Sequence, residues 1–530
     1  MASRALTLGP PRPRITLARC AAVRRASAGP VNSIRTCNVC LFAPRLLLAM
    51  CRRKQMARPC KILVVGAGLA GLSVAHSLAR LDGTGRGIVV LERDPVRVGG
   101  RIRTHASRGY ELGAGRIYSN HRLTRRLLDE LGIGLVDLRA ASVETPAYAR
   151  VRRAGAAVKA PPRVRGGGLS LRDRRILASA GGRLEPVVAA SLDSTYEGGD
   201  LGDRELQDQY ETFPDLASAT FYKVVGGYDS VPRALAARLE AMGGEVLLGQ
   251  NVVDVAPRRV RARDAASGLV TTYEAPVVII ATPPRAVERW PAVYPYVAPI
   301  CRALQERPLC RIYARLRGAE KVRRWPFYVK TTSVLCKVIS EAERPWVQVS
   351  YSSGRDAEFW MRLRECSPAT FADLLDSLVR QDLVQAGLVR AADAAAVGVD
   401  RASLDSCFWP VAAHAFRPAR RRASSPMSWR EMTTCHATAL PGVFWANEAV
   451  SPVHAWAEGA LLSAQEVVRR VGVFRRGGLP TSLPVLPAPP AGARAVLGRV
   501  YGAGDDGGFW DQESWYRDKE SQPCMRDEEL

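Results

Sequence analysis

The run Ile62-Leu63-Val64-Val65-Gly66-Ala67-Gly68-Leu69-Ala70-Gly71-Leu72 decides the fold. Four apolar residues, three of them β-branched, lead directly into a glycine-punctuated turn, and a helix-like stretch follows over Ala70–Leu81. Ile88–Leu91 is a second apolar run, so strand, helix and strand fit within about 30 residues. Each glycine has its own reason. Gly66 permits the tight turn, Gly68 leaves room for a pyrophosphate against the backbone, and Gly71 lets helix and strand pack closely. The start of the helix offers unpaired N–H groups and a partial charge of about +0.5, which suits a diphosphate. Glu92 ends the second strand, where its carboxylate can accept hydrogen bonds from both ribose hydroxyls. These features predict a Rossmann-like, doubly wound α/β domain with a bound dinucleotide.

Working outward, the sequence predicts a helix around Val231–Met242, strands at Glu245–Leu248 and Val252–Val255, and a buried strand at Val277–Ala281 that stops at Thr282-Pro283-Pro284. Leu309–Leu316 alternates as a half-buried strand does, and Trp456–Arg470 reads as a helix. Residues 151–185 are Arg/Gly/Ala-rich and read as loop, and beyond Gly477 a Pro/Gly-rich and then acidic stretch reads as a flexible tail.

Composition narrows the class. With 47% apolar residues among 530, the chain can build a large core, which excludes global disorder. Twelve cysteines are too sparse for a disulfide scaffold. The lone Cys37–Cys40 pair lacks the second pair of a zinc site, so no metal is expected. No stretch approaches the ~20 apolar residues of a membrane span. Of the +25 net charge, residues 1–60 supply 12 with no acid at all. That leader has the composition of an organelle transit peptide. Alternatively, translation starts at Met50 or Met56, both just before the first strand. The expected location is cytoplasmic, or a plastid or mitochondrion if the leader is genuine. No aromatic-interleaved basic stripe is present, so no nucleic-acid partner is expected.

Further motifs carry a resemblance. The GxGxxG with Glu92 is followed by Gly99–Thr104, Glu111–Arg116, Gly226-Gly227 with its helix, Val252, Ala281-Thr282-Pro283 and Phe444–Ala460. In this order they resemble the FAD-dependent amine oxidase superfamily over roughly residues 60–470, a group that includes monoamine and polyamine oxidases, protoporphyrinogen oxidase and phytoene desaturase. The resemblance implies FAD. It assigns Gly66, Gly68 and Gly71 to the diphosphate turn, Glu92 to the ribose, Arg101 to the diphosphate and ribityl region, and Gly115 and Arg116 to backbone near the flavin ring. It gives Val252 the adenine, Glu448 the ribityl phosphate, and Trp456 with Ala457 the helix start that meets the flavin pyrimidine oxygen. It also implies a discontinuous layout: a leader 1–59, an FAD-binding part in 60–135, 225–300 and 405–475, an α+β substrate domain in 136–224 and 301–404, and a tail 476–530.

The sequence departs from that pattern at three places. Asn447 stands where relatives usually have Gly. Ala415 occupies the region of the Cys that holds flavin covalently in monoamine oxidases, and Cys407 is out of register and reads as a structural thiol. Arg311 replaces the usual Lys beside flavin N5; an arginine cannot act as a base, but it can hold water or a substrate carboxylate. An exposed strand Arg is the other reading of Arg311. The implied activity is hydride transfer from a substrate C–N or C–C bond to flavin N5, with reoxidation by oxygen. An alkylamine of pKa near 10.4 must lose its proton first, at a cost of about 4–5 kcal/mol at pH 7, and a dry aromatic cage lowers that cost. Phe416 and Trp456 stand at the two cage positions, flanked by His414 and His454. Tyr313, Trp325, Phe327, Tyr328, Tyr351 and Trp360 are candidates for the pocket wall. The partners are then a small amine and oxygen; the alternative is a redox-silent protein that uses FAD structurally or in partner binding. Because no cysteine matches the covalent anchor, acid or boiling is expected to release the yellow chromophore into the supernatant; colour retained on the denatured chain contradicts noncovalent FAD.

Overall fold

The computed structural model describes residues 57–138, 142–149, 221–323, 325–340, 345–416, 440–451 and 453–476. The basic leader with its Cys37–Cys40 pair, the 151–185 stretch and the tail beyond residue 476 lie outside the described residues.

After a short edge strand at Arg58–Pro59, the described chain continues with β1 (Ile62–Val65), α1 (Leu69–Leu81) and β2 (Ile88–Leu91), followed by α2 (Arg122–Leu131) and α3 (Ser230–Ala241). Next come β3 (Glu245–Leu247), the antiparallel strands β4 (Gln250–Ala256), β5 (Arg259–Asp264) and β6 (Val270–Glu274), and β7 (Val277–Ile280). A second region holds β8 (Leu304–Ala314), β9 (Tyr328–Lys330), β10 (Lys337–Ser340), β11 (Val347–Ser353), α4 (Gly354–Cys366), α5 (Pro368–Gln385) and β12 (Asp405–Phe416). The chain then returns through β13 (Val443–Trp445) to the final helix, α6 (Ala457–Arg475).

Five strands form a parallel sheet in the order β13-β7-β1-β2-β3. All four residues of β1, β2 and β7 are buried, which requires cover on both faces. On one face Val64, Leu72, Leu78, Leu235, Leu239 and Val467 join the sheet to α1, α3 and α6. On the other, Leu63, Val278 and Ile280 pack with Val255 and Val260 of the β4–β6 layer and with Trp290 and Val293. A six-stranded sheet, β12-β8-β11-β10-β9 with Ser142–Glu144 at its edge, forms the second region. Helices α4 and α5 cover one of its faces through Trp360, Leu375, Val379 and Leu383.

Several boundaries differ from the sequence reading. Arg58–Pro59 already pairs in parallel with Tyr273–Glu274, so the last residues of the predicted 1–59 leader belong to the folded part. Strand β12 lies along β8 from Leu304↔Phe416 to Tyr313↔Asp405, so it belongs to the six-stranded sheet, and the return to the parallel sheet comes only with β13. Residues Leu309–Ala314 are buried on both faces rather than half-buried, because a helical layer covers one face and the residues around Tyr110 cover the other. Trp360 is core, its Nε1 donating to the Val334 carbonyl at 2.8 Å.

The turn after β1 shows why glycine is required there. Gly66 has φ +107°, in the left-handed region, and a Cβ on Gly71 would lie 2.1 Å from the Gly66 carbonyl oxygen and 2.9 Å from the Ala281 Cβ. Gly71→Ala is therefore expected to destabilise the protein by at least about 1–3 kcal/mol despite its better helix propensity, read as a lower thermal midpoint; an unchanged midpoint contradicts the close packing of helix on strand.

Candidate functional site

The turn between β1 and α1 is braced by the acid at the end of β2. The Ala67 amide donates to Glu92 Oε2 at 2.8 Å and the Asp94 amide to Glu92 Oε1 at 2.9 Å. Each carboxylate oxygen keeps lone-pair capacity for a further donor. A Cβ on Gly68 would meet nothing within 4 Å, so the space above the turn is open at the start of α1, where amides are unpaired. Gly68 also bridges to Gly99, which brings the second glycine loop alongside. Edge strand β4 begins next to Glu92, the Gln250 amide donating to the Glu92 carbonyl at 2.7 Å, and Val252 follows two residues later in register with Ala262.

Arg101 leaves that second loop and joins regions far apart in sequence. Its Nη1 donates to Glu448 Oε1 at 2.9 Å and to the Ala412 carbonyl at 3.0 Å, and its Nη2 binds Glu448 Oε2. His414 Nδ1 lies 2.9 Å from Glu448 Oε1. Burial alone would push the Glu448 carboxyl up, but the Arg101 guanidinium and the His414 ring outweigh it and hold the group well below the usual carboxylate range. Asn447, where the resemblance implies Gly, has φ −158°, ordinary extended backbone. Its side chain accepts from the Ala449 amide at 2.9 Å, so the turn does not need glycine.

The start of α6 lies beside this pair. Ala455 has φ +70°, an uncommon conformation for a residue with a Cβ, and it turns the chain so that Trp456 is the N-cap and Ala457 the first helical residue. Glu458 in the first turn accepts from the Leu123 amide at 3.0 Å, the Thr124 amide at 2.9 Å and Thr124 Oγ1 at 2.7 Å, which locks α6 to the N-terminus of α2. The Trp456 ring lies 4.7 Å from Tyr118 and 5.1 Å from His121. Burial pushes His121 down to about 3, so it is a neutral imidazole. Tyr118 packs on Phe221 at 4.3 Å, and Phe221 reaches Tyr328 at 6.4 Å, so an aromatic run leads from the helix start to the second sheet. Phe416 ends β12; its side chain lies outside the described residues.

At the end of that run is a cavity. Its wall includes Glu111, Gly115, Arg116, Lys223, Arg311, Tyr313, Phe327, Gln348 and Tyr351. Arg311 is 6% exposed, so it is a buried cavity residue and not a surface strand Arg. Its Nη1 donates to the Glu111 carbonyl at 2.8 Å and to the Tyr313 hydroxyl at 3.3 Å, while its Nε is buried without a partner. The Tyr313 hydroxyl donates to the Glu111 carbonyl at 2.6 Å. Gly115 leaves space for the Glu111 side chain, whose Cβ a Cβ at Gly115 would meet at 2.7 Å. Burial pushes the Glu111 carboxyl up to about 7, against donation from the Tyr228 amide and Thr104 Oγ1, both at 2.8 Å. For the phenol of Tyr351, burial is the largest influence and acts upward, yet Arg116, Arg311 and Lys337 together bring it below its ordinary value.

The structure thus brings Gly66, Gly68, Gly71, Glu92, Arg101 and Glu448 to one side, and Gly115, Arg116 and Arg311 to the cavity. Trp456 joins the aromatic run and is absent from the cavity wall as described. Of the aromatic candidates, Tyr313, Phe327 and Tyr351 line the cavity, whereas Trp325 packs in the core beneath α4 and α5. Cys407 is half-buried against Tyr110, Leu112 and Tyr313, and burial pushes its thiol up. Sequence reasoning missed Glu458, Tyr118 and His121, although Glu458 lies inside a quoted motif; it also missed Lys223 and Gln348, for which no motif exists. Among the described residues, no group of His, Cys, Asp and Glu could hold a metal, and no helix is long and apolar enough to cross a membrane.

Comparison with known proteins bears on the family and the fold. A family profile described as NAD(P)-binding Rossmann-like domain matches residues 64–131, and one described as flavin containing amine oxidoreductase matches residues 187–472. The L-amino-acid oxidase of Echis ocellatus is 43% identical over 86 residues, which is 16% of this chain and 16% of that protein. The L-amino-acid oxidase of Vipera ammodytes ammodytes is 41% identical over 86 residues, 16% of this chain and 17% of that protein. The chain thus matches only about a sixth of the length of these curated relatives. Wild-type putrescine oxidase bound to putrescine superimposes with a TM-score of 0.57 at 16% identity, covering 79% of this chain and 100% of that one, which establishes the shared fold. The amine oxidoreductase profile extends over more than half of the 530 residues, and the chain belongs to the flavin-containing amine oxidoreductase family.

Proposed function

We propose that the protein is an FAD-dependent oxidoreductase of the amine oxidase type, acting on the C–N bond of a small amine, with oxygen as the final electron acceptor. The observation that carries this reading is the convergence of three distant segments on one place: the open turn over Gly68, the Arg101–Glu448 pair and the start of α6. The residues present suit FAD. Gly68 leaves the backbone accessible to a diphosphate, Glu92 retains acceptor capacity for ribose hydroxyls, Val252 stands on the edge strand beside Glu92, and Arg101 offers a half-buried cation for the diphosphate and ribityl region. Bound FAD supplies a hydride acceptor at flavin N5.

The chain's own contribution is positional and electrostatic. The first amides of α6 can stabilise negative charge placed against them. Trp456, Tyr118, Phe221 and Tyr328 form an aromatic approach with the Arg116 guanidinium over Phe221 and Tyr328, and that cation disfavours a charged ammonium and so eases loss of its proton. Arg311 cannot take that proton, but it can orient water or substrate through N–H groups not used by Glu111 and Tyr313. The parallel sheet then serves the cofactor and the six-stranded sheet the substrate, with Arg101 and Glu448 between them.

The purified protein is expected to be yellow, and an amine is expected to bleach it anaerobically, with peroxide formed when oxygen returns. If dithionite bleaches the flavin but no amine in a broad panel does so, the redox-silent reading gains instead. Gly68→Ala is expected to leave the apo-protein's unfolding free energy within about 0.5 kcal/mol of wild type while weakening FAD binding by at least about tenfold, because the new methyl group meets no protein atom within 4 Å. Glu111 sets a pH signature: its carboxyl prefers the protonated form when folded, so its contribution is fully present below about 4.5 and is lost as pH rises through about 7. That loss is on the order of 3 kcal/mol. Glu111→Gln is expected to flatten stability between those pH values in denaturant titrations.

A further inference from the structure

The cavity wall carries an unusual charge balance for a site that accepts amines. Among the described residues it includes three cations, Arg116, Lys223 and Arg311, and one acid, Glu111. Glu111 is a partial counter-charge at neutral pH, and both its oxygens already accept hydrogen bonds from Thr104 and Tyr228. The guanidinium carbons of Arg116 and Arg311 each stand 4.9 Å from the centre of the Tyr351 ring, and Lys337 Nζ stands 5.9 Å from it. Like charges this close repel one another, most strongly at buried Arg311, and an anion placed between them relieves that repulsion. Arg311 points to where the anion belongs. It is 6% exposed, its Nη1 is held by the Glu111 carbonyl and the Tyr313 hydroxyl, and its buried Nε has no partner. A guanidinium fixed on one side with an unsatisfied N–H is prepared for an acceptor such as a carboxylate.

A diamine is the wrong shape of charge for this wall. Putrescine carries an ammonium at each end near neutral pH, and its distal end would meet cations here. The fold shared with putrescine oxidase therefore does not extend to the ligand that protein holds.

We propose that the substrate is an amine bearing an acid group, and that Arg311 anchors the acid and determines this specificity. The inference rests on the oxidase reading for the word substrate, but the anion site itself does not.

Matched pairs differing by one carboxylate test the substrate class in the holoenzyme: putrescine against ornithine, and 2-phenylethylamine against phenylalanine. The acid-bearing member of at least one pair is expected to reduce the flavin anaerobically at least about 100-fold more efficiently than its partner. Equal or faster reduction by the acid-free members overturns the proposal and leaves the oxidase reading intact. A second readout needs no turnover. Saturable binding of carboxylates lacking an amine, from propionate to 3-phenylpropionate, is measured by calorimetry on wild type, Arg311→Lys and Arg311→Met. Binding is expected in wild type, weakened about tenfold in Arg311→Lys, which keeps the charge but loses the fork, and lost in Arg311→Met. Absent binding in wild type, or equal binding in wild type and either variant, overturns the anchor; should Arg311→Met fail to fold, the Lys variant carries the comparison. Carboxylate binding that depends on Arg311, in a protein whose flavin no amine ever bleaches, upholds the anion site and sinks the oxidase reading alone.

Discussion

An ion pair between a half-buried arginine and a buried carboxylate holds the site together. Arg101 and Glu448 are 347 positions apart, yet the guanidinium grips the carboxylate at both oxygens and the same arginine reaches the Ala412 carbonyl of β12. The loop after β2, the end of the six-stranded sheet and the turn before α6 thus meet at one acid. Removing Arg101 leaves the Glu448 carboxylate in a place that water scarcely reaches, and an uncompensated buried charge is costly. His414 adds a third member to the cluster, so it is a positioning residue of this junction rather than a residue of the cavity wall.

The junction divides the electrostatics in two. On the side of the parallel sheet, the open turn at Gly68 and the first amides of α1 and α6 favour negative charge through backbone groups, with Arg101 at the junction as the added cation. On the side of the six-stranded sheet, the cations are side chains: Arg116 and Arg311 about one tyrosine ring, with Lys337 behind it. Backbone donors suit a diphosphate that is always present in the same place. Side-chain cations on strands can differ between relatives with little effect on the fold, which is how one architecture can accept ligands of opposite charge.

How legible this was depended on the range of each interaction. The β1–α1–β2 unit could be read directly, because its strand run, its glycines and Glu92 lie within one short stretch and each residue type answers a local steric or hydrogen-bonding demand. The α6 helix could be read from its own periodicity, but the role of its first residues and of the Glu448 turn was legible only through resemblance to a family. Their roles depend on partners hundreds of residues away, as Glu458 shows by capping α2. Asn447 looked like a departure because residue type alone does not report φ; the extended backbone there accommodates it.

By itself, the sequence determined the parallel sheet, the dinucleotide turn and the order of the elements, since each follows from local periodicity, from glycine's missing Cβ or from a carboxylate at a strand end. Tertiary structure alone decided that Arg311 is buried, that β12 lies against β8, and that Arg116, Arg311 and Lys337 surround Tyr351. The physical reason is that burial and charge proximity are properties of surfaces brought together from separate strands. Leu309–Ala314 alternates in sequence as a half-exposed strand would, and only the layers packed on both its faces turn its arginine into a cavity group.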